Sequence, residues 1–210
     1  MKSSLIVASL ILTAFGSAQV KMQVLIGGKR AGTASLLQKI LPDGSKMVQL
    51  SMELKTEQVN ATLRSESTYD KKGNPIRKFQ ETIVPSQKTR RTVIVTFDAQ
   101  GANTTIDLNG KRAVKHVALP STATREDASE FWFSRDQPKV GQVNKAYNFN
   151  IESLTWELTV TTYVGIVDAT IGGKKVKARR TESSAGAALL DETGLPLRLE
   201  LSNGALERIW

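Results

Sequence analysis

The chain has 210 residues, 40% of them apolar, and 29 lysines and arginines against 20 acids give it a formal charge of +9. It has no cysteine and one histidine, which excludes a disulfide framework, thiol catalysis and cysteine metal sites. The basic balance favours anionic neighbours such as lipid headgroups or acidic polysaccharide.

In chain order, the first element is an address. Residues 1–18, MKSSLIVASLILTAFGSA, carry one lysine, an apolar run from Leu5 to Phe15, and the small residues Gly16 and Ala18 ahead of Gln19. That three-part layout predicts a secretory signal peptide cut after Ala18. The expected organisation is a leader over 1–18 and a single β-rich domain over 19–210, working outside the cytoplasm in the periplasm or the medium. Export removes nucleic acid from the expected partners. No later stretch approaches the roughly 18 apolar residues of a transmembrane helix.

From Gln19 onward the apolar residues recur with period two, the signature of strands with one buried face. In KMVQLSMELK, Val48, Leu50, Met52 and Leu54 share a face. In LTWELTVTTYV the apolar face is Leu154, Trp156, Leu158, Val160 and Val164, and near the end Leu195, Leu197, Leu199 and Leu201 alternate with polar residues. Turn signals such as Gly27-Gly28, Asp43-Gly44, Asn109-Gly110, Gly172-Gly173 and Asn203-Gly204 separate the runs. The prediction is a mainly all-β protein, a curved antiparallel sheet of about eleven or twelve strands forming a half-barrel or barrel-like meander. One segment breaks the rhythm: Thr124 is placed to cap a short helix, with Phe131, Trp132 and Phe133 at its end.

A motif occurs twice, Asp-x-x-Gly-x-Pro-[Ile/Leu]-Arg, at Asp70–Arg77 and Asp191–Arg198. Paired ligand loops are one reading, but a calcium loop needs several oxygen donors in register, and Lys71 and Lys72 stand where donors would be. Turn grammar explains the motif better: Asp opens the turn, Gly takes positive φ and Pro leads into the return strand. Glu126, Asp127 and Glu130 suit a helix start. His116 lies in a strand-like run, and there is no Gly-x-Ser-x-Gly elbow, phosphate loop or dinucleotide fingerprint. No catalytic residue, metal or cofactor is therefore expected. The basic runs KTRR (Lys88–Arg91) and KKVKARR (Lys174–Arg180) remain; in a strand, Lys175, Lys177 and Arg179 would form a cationic stripe, a candidate contact for anionic headgroups. The last residues do not alternate as a lipid-facing barrel strand would, so Trp210 is expected to pack on the end of the sheet.

The stretches SEFWFSRDQPKVGQVNKAYNFNIESLTWELTV and DETGLPLRLELSNGALERIW, with GGKRAGTASLL and YDKKGNPIRKF earlier, resemble an exported bacterial family, domain of unknown function 3108. The resemblance implies an extracytoplasmic β-rich domain with no assigned enzyme activity and supplies no functional residue. The architecture also looks like the half-barrel of periplasmic lipoprotein carriers, whose apolar concave face holds acyl chains. The expected function is non-enzymatic: binding an apolar or amphipathic envelope component, a lipid or lipoprotein, within the curved sheet. Trp132 and Trp156 are candidates for the mouth of that cavity. The competing expectation is a structural or protein-interaction module with a packed core and a basic face.

Overall fold

The computed structural model describes residues 18–57, 59–122, 132, 136–184 and 186–210. The strands run β1 (Ala18–Ile26), β2 (Lys29–Ile40), β3 (Lys46–Lys55), β4 (Asn60–Tyr69), β5 (Pro75–Val84), β6 (Thr89–Phe97), β7 (Gly101–Leu108) and β8 (Lys111–Ala118). After the interrupting segment come β9 (Val143–Asn150), β10 (Thr155–Ile171), β11 (Lys174–Ser183), β12 (Gly186–Leu190), β13 (Pro196–Leu201) and β14 (Gly204–Arg208). The helix expected from Thr124 falls on residues outside those described, apart from Trp132 and Asp136, which are helical.

Among the described residues all fourteen strands form one antiparallel sheet, in the order β8-β7-β6-β5-β4-β3-β2-β1-β14-β13-β12-β11-β10-β9. The architecture is the one expected, with more strands than the eleven or twelve predicted. β8 is exposed along nearly its whole length, and β12 reads GAALL, short and without a period-two signal. Two meanders, β1–β8 and β9–β14, are zipped together where β1 pairs with β14, from Met22 opposite Arg208 to Ile26 opposite Gly204.

Residues opposite each other across a ladder share a face, so the registers trace one face from strand to strand. Tyr163 faces Thr181, then Ala188, Leu199, Leu206 and Val24. In the other direction Leu63 faces Thr82 and then Arg91, which places Val93 and Val95 on the same face. This concave face holds the main core: Val20, Met22, Val24, Leu36, Leu50, Met52, Leu54, Leu63, Leu199 and Leu206 pack as one cluster.

The two edges, β8 and β9, do not share a ladder. Instead the sheet rolls like a scroll. Phe149 and Trp156, opposite each other, project from the face of the β9–β10 hairpin that does not carry Tyr163, and they pack against Val93, Val95, Ala102 and Phe97. The convex side of one edge thus lies on the concave side of the other.

This corrects the expected apolar face of β10. Leu154 sits in the turn with φ of 57°, Trp156 is half-buried, and Leu158 and Val164 are exposed, while Thr161 and Tyr163 on the opposite face are buried. The expected run Leu195, Leu197, Leu199, Leu201 is also split. Leu190 pairs with Pro196 and Leu189 with Arg198, so Leu197 is the extra residue of a β-bulge. It turns to the convex face, where it packs with Ile171, Ala178 and Leu189.

Candidate functional site

The repeated motif is structural. In both copies the Asp amide donates to the carbonyl four residues on (Asp70 to Asn74, 2.9 Å; Asp191 to Leu195, 2.8 Å) and the Gly amide donates back to the Asp carbonyl (3.0 Å in each). Both Asp Oδ1 atoms accept from the amide four residues on, at 2.8 and 2.9 Å. Gly73 and Gly194 take φ of 93° and 86°, a region that glycine enters without steric cost. Pro75 and Pro196 open the return strands, and each is followed by a bulge, at Ile76 and at Leu197. One piece of grammar therefore makes a turn and re-aims the next strand.

The Asp70 turn is set by a carboxylate, and that has a pH consequence. Burial pushes the Asp70 carboxyl up, but the side chain and amide of Asn74 outweigh it, and the group lies below its ordinary value. The Ser45 hydroxyl does the same for Asp43, and the Gln100 amide with the Asn103 side chain for Asp98. A carboxyl lowered in the folded state contributes stability that is complete above its unfolded value, about 3.9, and is lost as pH falls through the folded value. The urea midpoint is therefore expected to fall below about pH 4 and to fall less steeply in Asp70→Asn. Equal slopes for the two proteins would remove Asp70 from the account.

The inner wall is graded in polarity. One row of ladder partners crosses the concave face as Gln38, Val48, Ser67, Lys78, Val95, Thr104 and Lys115. The next row includes Ser65 and Gln80, and across the roll β9 and β10 present Asn144, Asn148, Thr159 and Thr161 on the Tyr163 face. The aliphatic side chains of β1–β4, β13 and β14 line the rest of the concave face. Gln38 and Thr104 are buried, at 4% and 0% exposure, and Gln38 Oε1, Thr104 Oγ1 and Asn144 Nδ2 have no hydrogen-bond partner among the described residues. All three belong to the concave face.

The tip of the β9–β10 hairpin is pinned by charge. Arg91 Nη1 meets Glu152 Oε2 at 2.9 Å, Gln80 Nε2 donates to Glu152 Oε1, and Lys78 Nζ lies 3.5 Å from the Phe149 carbonyl. The KTRR run is thereby spent on structure, since Arg90 pairs with Glu81 at 2.7 Å. His116 is exposed, its Nδ1 2.9 Å from Asn103 Oδ1.

The two candidate tryptophans are packed in separate places. Trp132 is 1% exposed, against Tyr163 and Leu190. Trp156 stacks edge-on with Phe97 and Phe149, centroids 5.7 and 5.3 Å away, and its indole N–H donates to the Val117 carbonyl at 3.3 Å. Trp156 holds the roll together, Trp132 packs on β10 and β12, and the structure does not bring them to a common opening.

Lys175, Lys177 and Arg179 do share one face of β11, with Lys175 and Lys177 exposed and Arg179 half-buried. Lys177 lies 3.7 Å from Asp168 across the ladder, a pair exposed enough to be worth little. The distal half of the β10–β11 hairpin forms an arm beyond the Gly165 bulge. Its other face covers Leu189 and Leu197, its Gly172 amide donates to Glu207 (3.2 Å), and its Ile171 carbonyl accepts the Trp210 indole N–H (2.8 Å). Trp210 thus packs at the sheet end, as expected. Glu207 also accepts from Gln23 and pairs with Arg198; nothing in the local sequence GALERIW marks it as buried.

No family model matches the chain, and no curated protein does. Solved structures do. A beta-barrel-like protein of domain of unknown function DUF1849 from Brucella abortus is similar over 95% of this chain and 97% of its own, at 9% identity and a TM-score of 0.54. A DUF1089 family protein from Pseudomonas aeruginosa covers the same shares at 15% identity and a TM-score of 0.39. The first likeness shows a beta-barrel-like fold for this chain.

Among the described residues, no group of three His, Asp or Glu side chains is placed to hold a metal ion, and no helix is long and apolar enough to cross a membrane.

Proposed function

We propose that this is a non-enzymatic extracytoplasmic protein that binds an amphipathic component of the cell envelope against its concave face. The observation that carries this is the set of unpartnered buried atoms, Gln38 Oε1 and Thr104 Oγ1, on a concave face whose remainder is largely aliphatic. An unpaired buried polar group costs about 1–3 kcal/mol, a cost that a ligand's polar end would offset while its apolar end meets the aliphatic part. The signal-peptide layout and the resemblance to the domain of unknown function 3108 family support the extracytoplasmic setting.

The test separates ligand binding from packing. Thr104→Val removes the orphan hydroxyl at nearly constant shape, so the variant is expected to be more stable by about 1 kcal/mol and to retain less lipid. Natively purified protein would be extracted and its lipids compared by mass spectrometry with those of the variant. A Thr104→Val protein that is less stable and carries the same extractable lipid, or a wild type carrying none above background, overturns the reading.

A further inference from the structure

Among the described residues, the scroll leaves part of its inner edge exposed. Only the tip of the β9–β10 hairpin is tucked beneath β6–β8; the rest of that convex face carries Val143, Lys145 and Tyr147 on β9 and Leu158, Val160, Thr162 and Val164 on β10. Val140 joins them from the turn before β9, lying over Gly165, where a Cβ would stand 3.4 Å from it. Val140 is 69% exposed, Val143 47% and Leu158 48%. Not one of the residues on these register positions is acidic, whereas Lys145 lies in the middle of the patch and Lys139 at its margin, both exposed.

A contiguous apolar patch on an edge hairpin marks a surface that is covered in use. Its charge states what covers it. Lysines among register positions that carry no acid complement an anionic surface, and long lysine stems reach headgroups while shorter apolar side chains enter the acyl boundary. We infer that the convex face of β9–β10, centred on Val140, Val143, Leu158 and Lys145, docks the protein on an anionic lipid bilayer. This rests on the amphipathic-ligand reading and deepens it: the edge that overlaps the concave wall is also the edge that meets the membrane from which such a ligand is drawn.

Co-sedimentation with vesicles of phosphatidylcholine plus phosphatidylglycerol, against pure phosphatidylcholine, tests it. The full chain after leader removal is expected to bind only the anionic vesicles and to weaken as salt screens the lysines. Val140→Ser with Leu158→Ser, both at exposed positions, is expected to weaken binding by at least about tenfold with thermal unfolding unchanged. Val140→Trp is expected to strengthen it, with a blue-shifted emission on vesicle addition. Equal vesicle binding by wild type and the double serine variant overturns the docking face, as does a dimer in solution that the same variant dissociates, which would assign the patch to a second copy. A wild type that carries extractable lipid yet fails to bind vesicles overturns the docking face alone; one that binds vesicles yet carries no lipid overturns the concave-face reading alone.

Discussion

Trp156→Ala is expected to destabilise the domain by about 3–4 kcal/mol and to loosen the roll at its two edges. Where β8 and β9 approach there is no ladder between them, so the roll is held by side chains. Trp156 is the largest side chain of that cluster: it packs edge-on against both Phe97 and Phe149, which also touch each other, and ties β10 to the Val117 carbonyl of β8. Truncation removes the buried ring surface, two edge-on aromatic contacts worth about 0.5–1.5 kcal/mol each, and one hydrogen bond. Urea unfolding measures the total. Amide exchange locates it: protection should fall first in Lys111–Ala118 and Val143–Asn150, with Lys46–Lys55 in the central sheet least affected. A loss spread evenly over all fourteen strands would mean that the roll is not closed at this cluster.

How much of this was legible in the sequence depends on whether the decisive physics is local. The turn at Asp70 and its copy at Asp191 could be read because the side chain, the glycine φ and the proline act within five residues. Strand β3 could be read because a central strand with one dry face must alternate, and Leu50, Met52 and Leu54 are buried as predicted. β10 misled for an instructive reason. Period two separates two faces but does not say which is concave, and a rolled edge uses both. Leu158 and Val164 form a true apolar face that happens to point outward, whereas Thr161 and Tyr163 face the core.

The bulge after Pro196 has the same lesson on a smaller scale. One extra residue exchanges the face of Leu197, and only the pairing with β12 reveals it. The concave polar row is non-local altogether. Gln38 and Thr104 look like ordinary polar positions in their own strands, and only a register carried across β3, β4, β5 and β6 shows them on one wall. Trp132 and Trp156 are candidates for a cavity mouth in the sequence, but a large aromatic ring suits packing and binding equally, and the folded chain packs both.

Glu207→Ala is the second large effect, expected at about 2–4 kcal/mol, and it reports on the arm. The Glu207 side chain is only 9% exposed. One carboxylate oxygen accepts from Gln23 Nε2 (3.0 Å) and from the Gly172 amide (3.2 Å), and the other meets Arg198 Nη1 at 2.9 Å. Removing it leaves three donors short of an acceptor and frees the hairpin tip from the convex face, where Lys174 otherwise sits over the Trp210 ring at 4.7 Å. Glu207→Gln keeps an oxygen for two of the donors and loses the ion pair, so it should cost roughly half as much. In exchange experiments the amides from Ile166 to Ala178 should lose protection in the alanine variant well before the ladder of β1 and β14 opens. If instead the arm keeps its wild-type protection while the whole sheet weakens, Glu207 serves the β13–β14 ladder alone, and the arm is held by Ile171, Leu189 and Leu197. Either result also fixes how firmly Lys175 and Lys177 are presented, because the strand that carries them is anchored to the rest of the molecule through this carboxylate and the small cluster beside it.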